Sequence, residues 1–370
     1  MIDERPDRAA EGVTTSDGIS PEELQLAARN HGLPLEALAA DVTPVGLHYL
    51  LIHFDVPFID EASFRLAVGG RVRRELVLSM DDLRRRPRVS MAVTMECAGN
   101  GRARLTPRPR SQPWINEAVG TAVWTGTPLA PLLDDVGLLD DVVELVFTGA
   151  DRGVQGGVEH DYERSLSVAE ATREDVILAY EINGAPLPPQ HGHPLRLVVP
   201  GWYGMTSVKW LRAITAVAEP FLGYQMDAYR FRVSEADPGS PVTRILPRSL
   251  MIPPGIPDFY TRVRTVAPGR CRLMGRAWSG YGPIARVEVS ADDGRSWGDA
   301  ALHPSASRHA WSRWSFDWDA VAGTTVLCSR ATDAAGQVQP GHQPWNHHGF
   351  ANNEVQRVPV VVEATGDRAR

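Results

Sequence analysis

The apolar and polar positions of the chain form two patterns, and the change between them lies near residue 235. In the first part, short apolar runs typical of strands stand between a few short helical patterns, without the regular alternation of a doubly wound sheet. The strand candidates of this part are residues 64–68, 91–93, 142–147, 176–180 and 195–199. This mixture predicts an α+β domain.

Two short helices are predicted from their first residues. Ser20, with a proline next and Glu23 at the third position, has the pattern of a helix N-cap with a capping box. This helix is predicted to run through Asn30, and Gly32 ends it. Ser79 begins a second short helix in the same manner.

After about residue 235 the helical patterns stop and short strand-like runs follow one another, separated by turn residues. The strand candidates are residues 272–277, 286–290, 314–318, 325–332 and 358–362. Short strands at such spacing predict a β-sandwich. We therefore expect an N-terminal extension with a short helix (1–42), an α+β domain (43–235) and an all-β domain (236–365).

The 370-residue chain has a formal net charge of −7, which argues against nucleic acid as a partner because such binders carry a basic face. No stretch approaches the roughly 20 apolar residues that span a bilayer, so no membrane partner is expected. Residues 1–18 lack the apolar segment of a secretory signal. Cys97, Cys271 and Cys328 cannot form a disulfide framework, and we expect reduced thiols and a cytoplasmic location.

Cys97 is the first candidate for chemistry. It follows the apolar run 91–93 and enters a turn made of Gly99, Asn100 and Gly101. Such a turn holds a thiol rigidly, and an arginine at position 102 favours the thiolate, the form that attacks substrates or binds soft metals. The alternative is a buried structural cysteine, because free cysteine is among the most buried residue types. The local sequence leaves both interpretations open.

The second candidate lies around an apolar strand at residues 195–199. His191 precedes this strand and Arg196 lies within it. Gly201, Gly204 and Lys209 follow it. Glycines let backbone N–H groups approach an anion, while arginine and lysine supply charge and phosphate-directed hydrogen bonds. Taken one by one, these residues suit a strand cap and solvated loop charges. Together they predict an anion or phosphate cradle.

Several blocks of the chain occur in an order that one known family shares. The blocks are Cys97-Ala98-Gly99-Asn100, Trp114, and residues 122–126, 178–184, 191–201, 208–211, 287–297 and 345–358. In these blocks the chain resembles the sulfite oxidase family of molybdenum enzymes, as a haem-free member of the bacterial type. The likeness covers roughly residues 43–362, and agreement of several blocks in order is far more specific than the short cysteine motif.

The resemblance implies a sulfite-oxidase-like molybdopterin-binding catalytic domain followed by an immunoglobulin-like sandwich that forms a homodimer. It implies molybdenum with one molybdopterin per chain, no haem, and Cys97 as the thiolate ligand of the metal. Tyr229, Arg102 and Trp114 match catalytic residues of the pocket. The residues that match cofactor contacts are Tyr49, Leu50, Leu51, Ile52, His53, Asp151, His191, Arg196, Ser207, Val208 and Lys209.

The chain also departs from the family at three positions. One is Gly101, where sulfite-oxidising members commonly have an arginine. Sulfite-oxidising members have an arginine where this chain has Leu51, and a second pocket arginine aligns with Ser312. Arg313 is next door, but one step along a strand turns the side chain to the other face. The pocket is therefore expected to be less cationic than that of a sulfite oxidase.

These features predict oxygen-atom transfer on a small-molecule substrate, with sulfite as the leading substrate and electrons passing to an external acceptor. One alternative is the same cofactor acting, as an oxidase or a reductase, on a different and less anionic substrate. The other is a dimeric scaffold whose cofactor site is vestigial.

Overall fold

The computed structural model describes residues 15–16 and 18–364. Residues 1–14, 17 and 365–370 lie outside the described residues, so the outer ends of the predicted segments 1–42 and 236–365 do as well. In the described ranges, no helix is long and apolar enough to cross a membrane.

The α-helices are short, and both predicted ones are present. Ser20 accepts a hydrogen bond from the Glu23 N–H, and the Glu23 carboxylate accepts one from the Ser20 N–H, which completes the predicted capping box. Ser79 and Asp82 form the same arrangement. The described helices are α1 Pro21–Arg29, α2 Met80–Arg84, α3 Ala130–Val136, α4 Val168–Ala171 and α5 Tyr224–Ala228.

The described strands of the first part are β1 Thr15–Ser16, β2 Leu66–Gly70, β3 Leu76–Leu78, β4 Val89–Glu96, β5 Arg108–Pro109, β6 Val119–Pro128, β7 Glu144–Gln155, β8 Val158–Ser167, β9 Ile177–Ile182, β10 Ala185–Pro186, β11 Arg196–Val198, β12 Leu211–Val217, β13 Arg230–Phe231 and β14 Ser240–Pro241. They build two main sheets, with strand orders β10-β9-β6-β4 (β11 also pairs with β9) and β3-β2-β12-β7-β8. Apolar side chains of both sheets and of α2 and α3 share one core.

The predicted strands of this part are present, with shifts of up to three residues at their ends, except that β7 continues eight residues past its predicted end, to Gln155. The last five residues of β4 are all buried, which explains the continuous apolar run before Cys97. The run 64–68 begins its strand two residues late, at Leu66, because the Phe64 N–H closes a turn on the Glu61 carbonyl.

The second part is β-rich. Its described strands are β15 Arg248–Met251, β16 Ile256–Pro257, β17 Arg264–Val266, β18 Gly269–Trp278, β19 Ile284–Ser290, β20 Gly298–Asp299, β21 Ala301–Leu302, β22 Ser312–Ala320, β23 Gly323–Asp333 and β24 Gln356–Val362. They form two sheets, with strand orders β15-β18-β22-β21 and β16-β17-β24-β23-β19-β20. Strand β24 alternates strictly between buried and exposed residues, and its buried valines share a core with Trp314 and Leu273 of the other sheet. All the strands predicted after residue 235 are therefore present, within longer observed strands.

The end of β4 is attached to the second part of the chain by a buried carboxylate. Glu96 accepts hydrogen bonds from Trp278 Nε1 at 2.8 Å and from Asn100 Nδ2 at 2.9 Å, and it lies 3.1 Å from Arg248 Nη1. Burial raises the pKa of Glu96, and the Arg248 charge opposes that rise. Glu96, the residue before Cys97, is thus bound to Arg248 of β15 and to Trp278 of β18.

Replacing Glu96 by glutamine is expected to lower the free energy of unfolding by about 3 kcal/mol, because a buried arginine loses its counter-charge. The double variant E96Q/R248M is expected to recover part of that loss, because it removes both charges. Urea denaturation of the cofactor-free wild type, the two single variants and the double variant measures the coupling. Strictly additive losses would contradict this account.

Candidate functional site

One cavity lies beside Cys97, and segments from across the first part of the chain enclose it. The predicted site residues that line it are Tyr49, Leu50, Leu51, His53, Cys97, Asp151, His191, Arg196, Ser207, Lys209 and Tyr229. His48, Met95, Tyr162, Gly204 and Met205 complete the lining. The structure therefore brings the Cys97 turn and the predicted anion cradle to the same place.

Four predicted residues lie outside this lining. Ile52 donates its backbone N–H to Asn30 Oδ1 at 2.7 Å, and Val208 belongs to the core between the two sheets. Trp114 packs with Cys97 in one apolar cluster without reaching the cavity. Arg102 lies behind the turn rather than in the cavity.

The turn after β4 fixes the thiol. The Cys97 N–H donates to the Ala118 carbonyl at 2.9 Å, and its own carbonyl accepts the Asn100 N–H at 3.0 Å. Gly101 has φ +94°, and a Cβ there would stand 2.8 Å from the Asn352 carbonyl oxygen, so this position requires glycine. Burial raises the pKa of the Cys97 thiol, and the Gly99 N–H and the Arg102 charge only oppose that rise. Arg102 therefore favours the thiolate, but burial outweighs its charge in the protein without bound metal.

A segment of the second part covers this turn. The Ala351 N–H donates to the Ala98 carbonyl at 2.8 Å, and Asn352 Nδ2 donates to the Gly101 carbonyl at 2.8 Å. Arg102 Nε donates to the His348 carbonyl at 2.7 Å. Residues 348–352 therefore hold the Cys97 turn from behind.

The anion cradle contains a buried cation, Arg196, and a half-buried one, Lys209, whose hydrogen bonds go only to carbonyl oxygens and a thioether. Arg196 donates to the His191 and Ser207 carbonyls at 3.0 and 3.1 Å, and also contacts the Met95 sulfur. Lys209 Nζ donates to the Leu51 and Gln190 carbonyls at 2.8 and 3.2 Å. No described acidic side chain lies within ion-pair distance of either cation. The cradle therefore has positive charge that its own contacts leave unneutralised.

Burial controls the protonation of these groups. Burial lowers the pKa of Lys209 to about 7, with the Arg196 charge acting in the same direction and Asp151 opposing. It raises the pKa of Asp151 to about 6 and lowers that of His191 to about 2, so the histidine is neutral. Arg196 stays cationic although burial lowers its pKa to about 10.

A glycine between the two cationic residues, Arg196 and Lys209, allows them to lie close together. Gly192 has φ +104°, and a Cβ there would meet Lys209 Cβ at 3.1 Å and Arg196 Cβ at 3.2 Å. Gly204 lines the cavity, but Gly201 packs against Gly280 of the second part and takes no part in the cradle.

Unpaired polar atoms around the cavity show which kind of ligand fits. Asp151 Oδ1 and Arg196 Nε are buried and have no hydrogen-bond partner in the described structure. A buried carboxylate oxygen suits the N–H groups of a heterocycle, and an arginine N–H beside a lysine suits a phosphate. With a soft sulfur from Cys97 on the same cavity, this donor set fits a phosphorylated pterin that carries a soft metal.

Some residues near the cavity are not indicated by the motifs of the sequence. Tyr162 lines the cavity, and Arg164 lies two positions further along the same strand, also buried. A strand that places Tyr, Arg and Leu on alternate buried positions is unusual, so the period-2 pattern of β8 held a usable signal. Phe350, which stacks on Tyr229 with ring centroids 4.9 Å apart, gave no local signal.

Ser312 does not lie at this cavity. It lies on a separate cleft of about 1010 Å³ that also includes Arg173, Arg244 and Trp278. Ser312 is buried and Arg313 exposed, as the alternation along β22 predicts. The expectation that Ser312 marks a position in the Cys97 pocket is therefore corrected.

Comparison with known proteins agrees with this geometry. The family model "Oxidoreductase molybdopterin binding domain" matches residues 53–225, and "Mo-co oxidoreductase dimerisation domain" matches residues 256–363. The sulfite oxidase of Arabidopsis thaliana is 33% identical over 356 residues, which are 88% of this chain and 90% of that protein. The sulfite oxidase of Gallus gallus is 35% identical over 346 residues, 88% of this chain and 74% of that protein.

A solved structure supports the same relationship. The sulfane dehydrogenase SoxCD from Paracoccus pantotrophus matches with a TM-score of 0.79 and 26% identity, covering 98% of this chain and 93% of that chain. The two family models define a molybdopterin-binding oxidoreductase with a dimerisation domain. Together with the relatives, they show that the chain belongs to the sulfite oxidase family.

In the cofactor-free protein, iodoacetamide is expected to label Cys271 before Cys97. Burial raises the pKa of both thiols, but Cys97 is buried whereas Cys271 is only partly buried and so more accessible to the reagent. Because only the thiolate reacts, Cys97 labelling should accelerate as the pH rises above the ordinary thiol range. Peptide mass mapping at several pH values measures both rates, with urea-unfolded protein as the control. Faster labelling of Cys97 at neutral pH would contradict the burial argument.

The cofactor-free protein is expected to bind sulfate on the order of tenfold more tightly at pH 5.5 than at pH 8.5, because a charge-assisted bond to Lys209 is lost on deprotonation. The pKa of Lys209 is about 7 and that of Asp151 about 6, so the cavity becomes more positive as the pH falls. Sulfate keeps its charge over this range, and titration calorimetry measures its affinity. In the K209M variant the pH dependence should largely disappear; an unchanged dependence would assign it to another group.

Proposed function

We propose that this chain oxidises sulfite to sulfate with a molybdenum–molybdopterin cofactor, one per chain, and passes the electrons to an external acceptor. Sulfite and water give sulfate, two protons and two electrons. The bound cofactor supplies the two-electron oxygen-atom transfer chemistry. The observation that carries the proposal is that Cys97 and the Arg196–Lys209 pair line the same cavity.

The chain's own residues bind and orient. Cys97 is the protein ligand of the metal, held by the turn that Glu96 and residues 348–352 support. Arg196 and Lys209 bind the phosphate, and Asp151 accepts N–H groups of the pterin through its unpaired oxygen.

Other residues complete the proposed cofactor site and the substrate side. His191, Ser207 and the 49–53 segment, including His53, surround the cofactor. Tyr229 lines the cavity and donates a hydrogen bond to substrate; burial raises its pKa to about 12, so it stays protonated.

The domain organisation is part of the proposal. A catalytic domain at residues 43–235 follows the extension 1–42, and residues 236–365 form an immunoglobulin-like domain that makes a homodimer. The match to a dimerisation-domain model and two sheets around one core support this arrangement. A cytoplasmic location stays a prediction from the sequence.

Protein made in a molybdopterin-competent host is expected to hold close to one molybdenum per chain and to oxidise sulfite with ferricyanide as acceptor. Cys97→Ser should lose the metal and the activity, because a hydroxyl is a poor ligand for a soft site. Cys271→Ser, which changes a thiol far from the cavity, is the matched control and should retain both. Metal-free wild-type protein with an intact fold would instead support a scaffold.

A second candidate is the same chemistry on a less anionic sulfur substrate. Leu51 lines the cavity where sulfite-oxidising relatives have arginine, and the similar solved structure is named a sulfane dehydrogenase. A screen of small oxidisable substrates with the same acceptor distinguishes the two: sulfite turnover well above all others favours the first.

A further inference from the structure

Tyr229 belongs to a stack of two aromatic rings that lies between two guanidinium groups. The Arg102 Cζ lies 5.1 Å from the centroid of the Phe350 ring, and Phe350 stacks on Tyr229 at 4.9 Å with 24° between the planes. On the other side, the Arg164 Cζ lies 5.6 Å from the centroid of the Tyr229 ring. We call this arrangement, Arg102–Phe350–Tyr229–Arg164, the arginine stack.

Arg164 is a buried cation with few groups around it that offset its charge. Its side chain is almost inaccessible to solvent, and its Nη1 donates to the Gln225 carbonyl. Its Nε is buried and has no hydrogen-bond partner in the described structure. Within the described residues, no carboxylate lies within ion-pair distance of Arg164 or of Arg102.

Such a charge is costly unless something anionic shares its surroundings. Burying an unpaired charge is unfavourable, and a folded protein ordinarily pairs a buried arginine with an acid. Stability alone gives no reason for a positive charge at this position, because a leucine or methionine would pack there at lower cost.

The charge of Arg164 reaches the reacting side of the cavity. Tyr229 lines the cavity and lies between Arg164 and Phe350, and Tyr162, two positions before Arg164 on β8, lines the cavity too. An anion beside the Tyr229 hydroxyl would therefore lie in a region of positive potential that Leu51 does not supply.

We propose that Arg164 is a specificity-determining residue that, with Arg102, gives this site its affinity for an anionic substrate in place of an arginine at position 51. The inference rests on the proposed function, since it concerns the substrate of the same site. Arg164 acts through the field and through the position of Tyr229, so it is a positioning residue rather than a catalytic one.

The test compares R164Q, which keeps an N–H for the Gln225 carbonyl but loses the charge, with R164K, which keeps the charge. In the molybdenum-loaded protein, R164Q is expected to raise the KM for sulfite and the Kd for sulfate about tenfold, the order of a through-space attraction between unit charges near a protein surface, while kcat changes little. R164K should stay close to the wild type. Calorimetry gives the sulfate Kd, which needs no turnover.

Two further variants sharpen the result. L51R/R164Q places a new cation on the cavity and should recover part of the sulfate affinity. R270M removes an exposed arginine of the second part and should leave both constants unchanged. If R164Q yields little folded protein, the sulfate affinity of the single variant L51R is compared with that of the wild type. A small gain supports the proposal, because it shows that the site is already cationic, and a large gain contradicts it.

Equal affinities of R164Q and wild type, with metal content intact, would overturn the proposal, and so would equal losses in R164Q and R164K. If the wild type binds sulfate but does not oxidise sulfite, the proposed function fails, while the sulfate constants still decide the role of Arg164.

Discussion

A buried carboxylate, that of Glu96, determines where the candidate metal ligand lies. It immediately precedes Cys97, and it meets a side chain of the Cys97 turn and two side chains of the second part of the chain. A buried charge is tolerated only when its partners hold good geometry, so this contact defines the position of the strand end as well as its stability. The thiol therefore depends on both parts of the chain.

Positive charge without an ion-paired acid among the described residues lies near the cavity in two groups. Arg196 and Lys209 bond mainly to carbonyl oxygens, while Arg102 lies over Phe350 and Arg164 over Tyr229. His48 and His191, which lie among these charges, have lowered pKa values of about 4 and about 2 and stay neutral. The cavity is thus prepared for negative charge while its imidazoles add none of their own.

The sequence predicted those features whose physical cause is local. Capping boxes predicted both short helices, alternation predicted the strands of the second part, and glycine turns marked Cys97 and the cradle. Ile52 and Val208 are predicted in the site because their neighbours match it, but the Ile52 N–H bonds to Asn30 and Val208 packs in the core, contacts between distant segments that no local pattern indicates. Phe350 and Arg164 come from distant segments, and no local pattern indicates that their rings and charges meet at Tyr229.

The contact between the Cys97 turn and its cover has a consequence for how the protein is made. Arg102 and the carbonyl it binds, that of His348, are 246 residues apart in the chain. At translation rates of roughly 5–20 residues per second, the two are synthesised roughly 12 to 50 s apart. During that interval the nascent turn has no cover from the second part. The segment that holds the Cys97 turn from behind is therefore synthesised late, and the order of synthesis sets the order in which the surroundings of the thiol form.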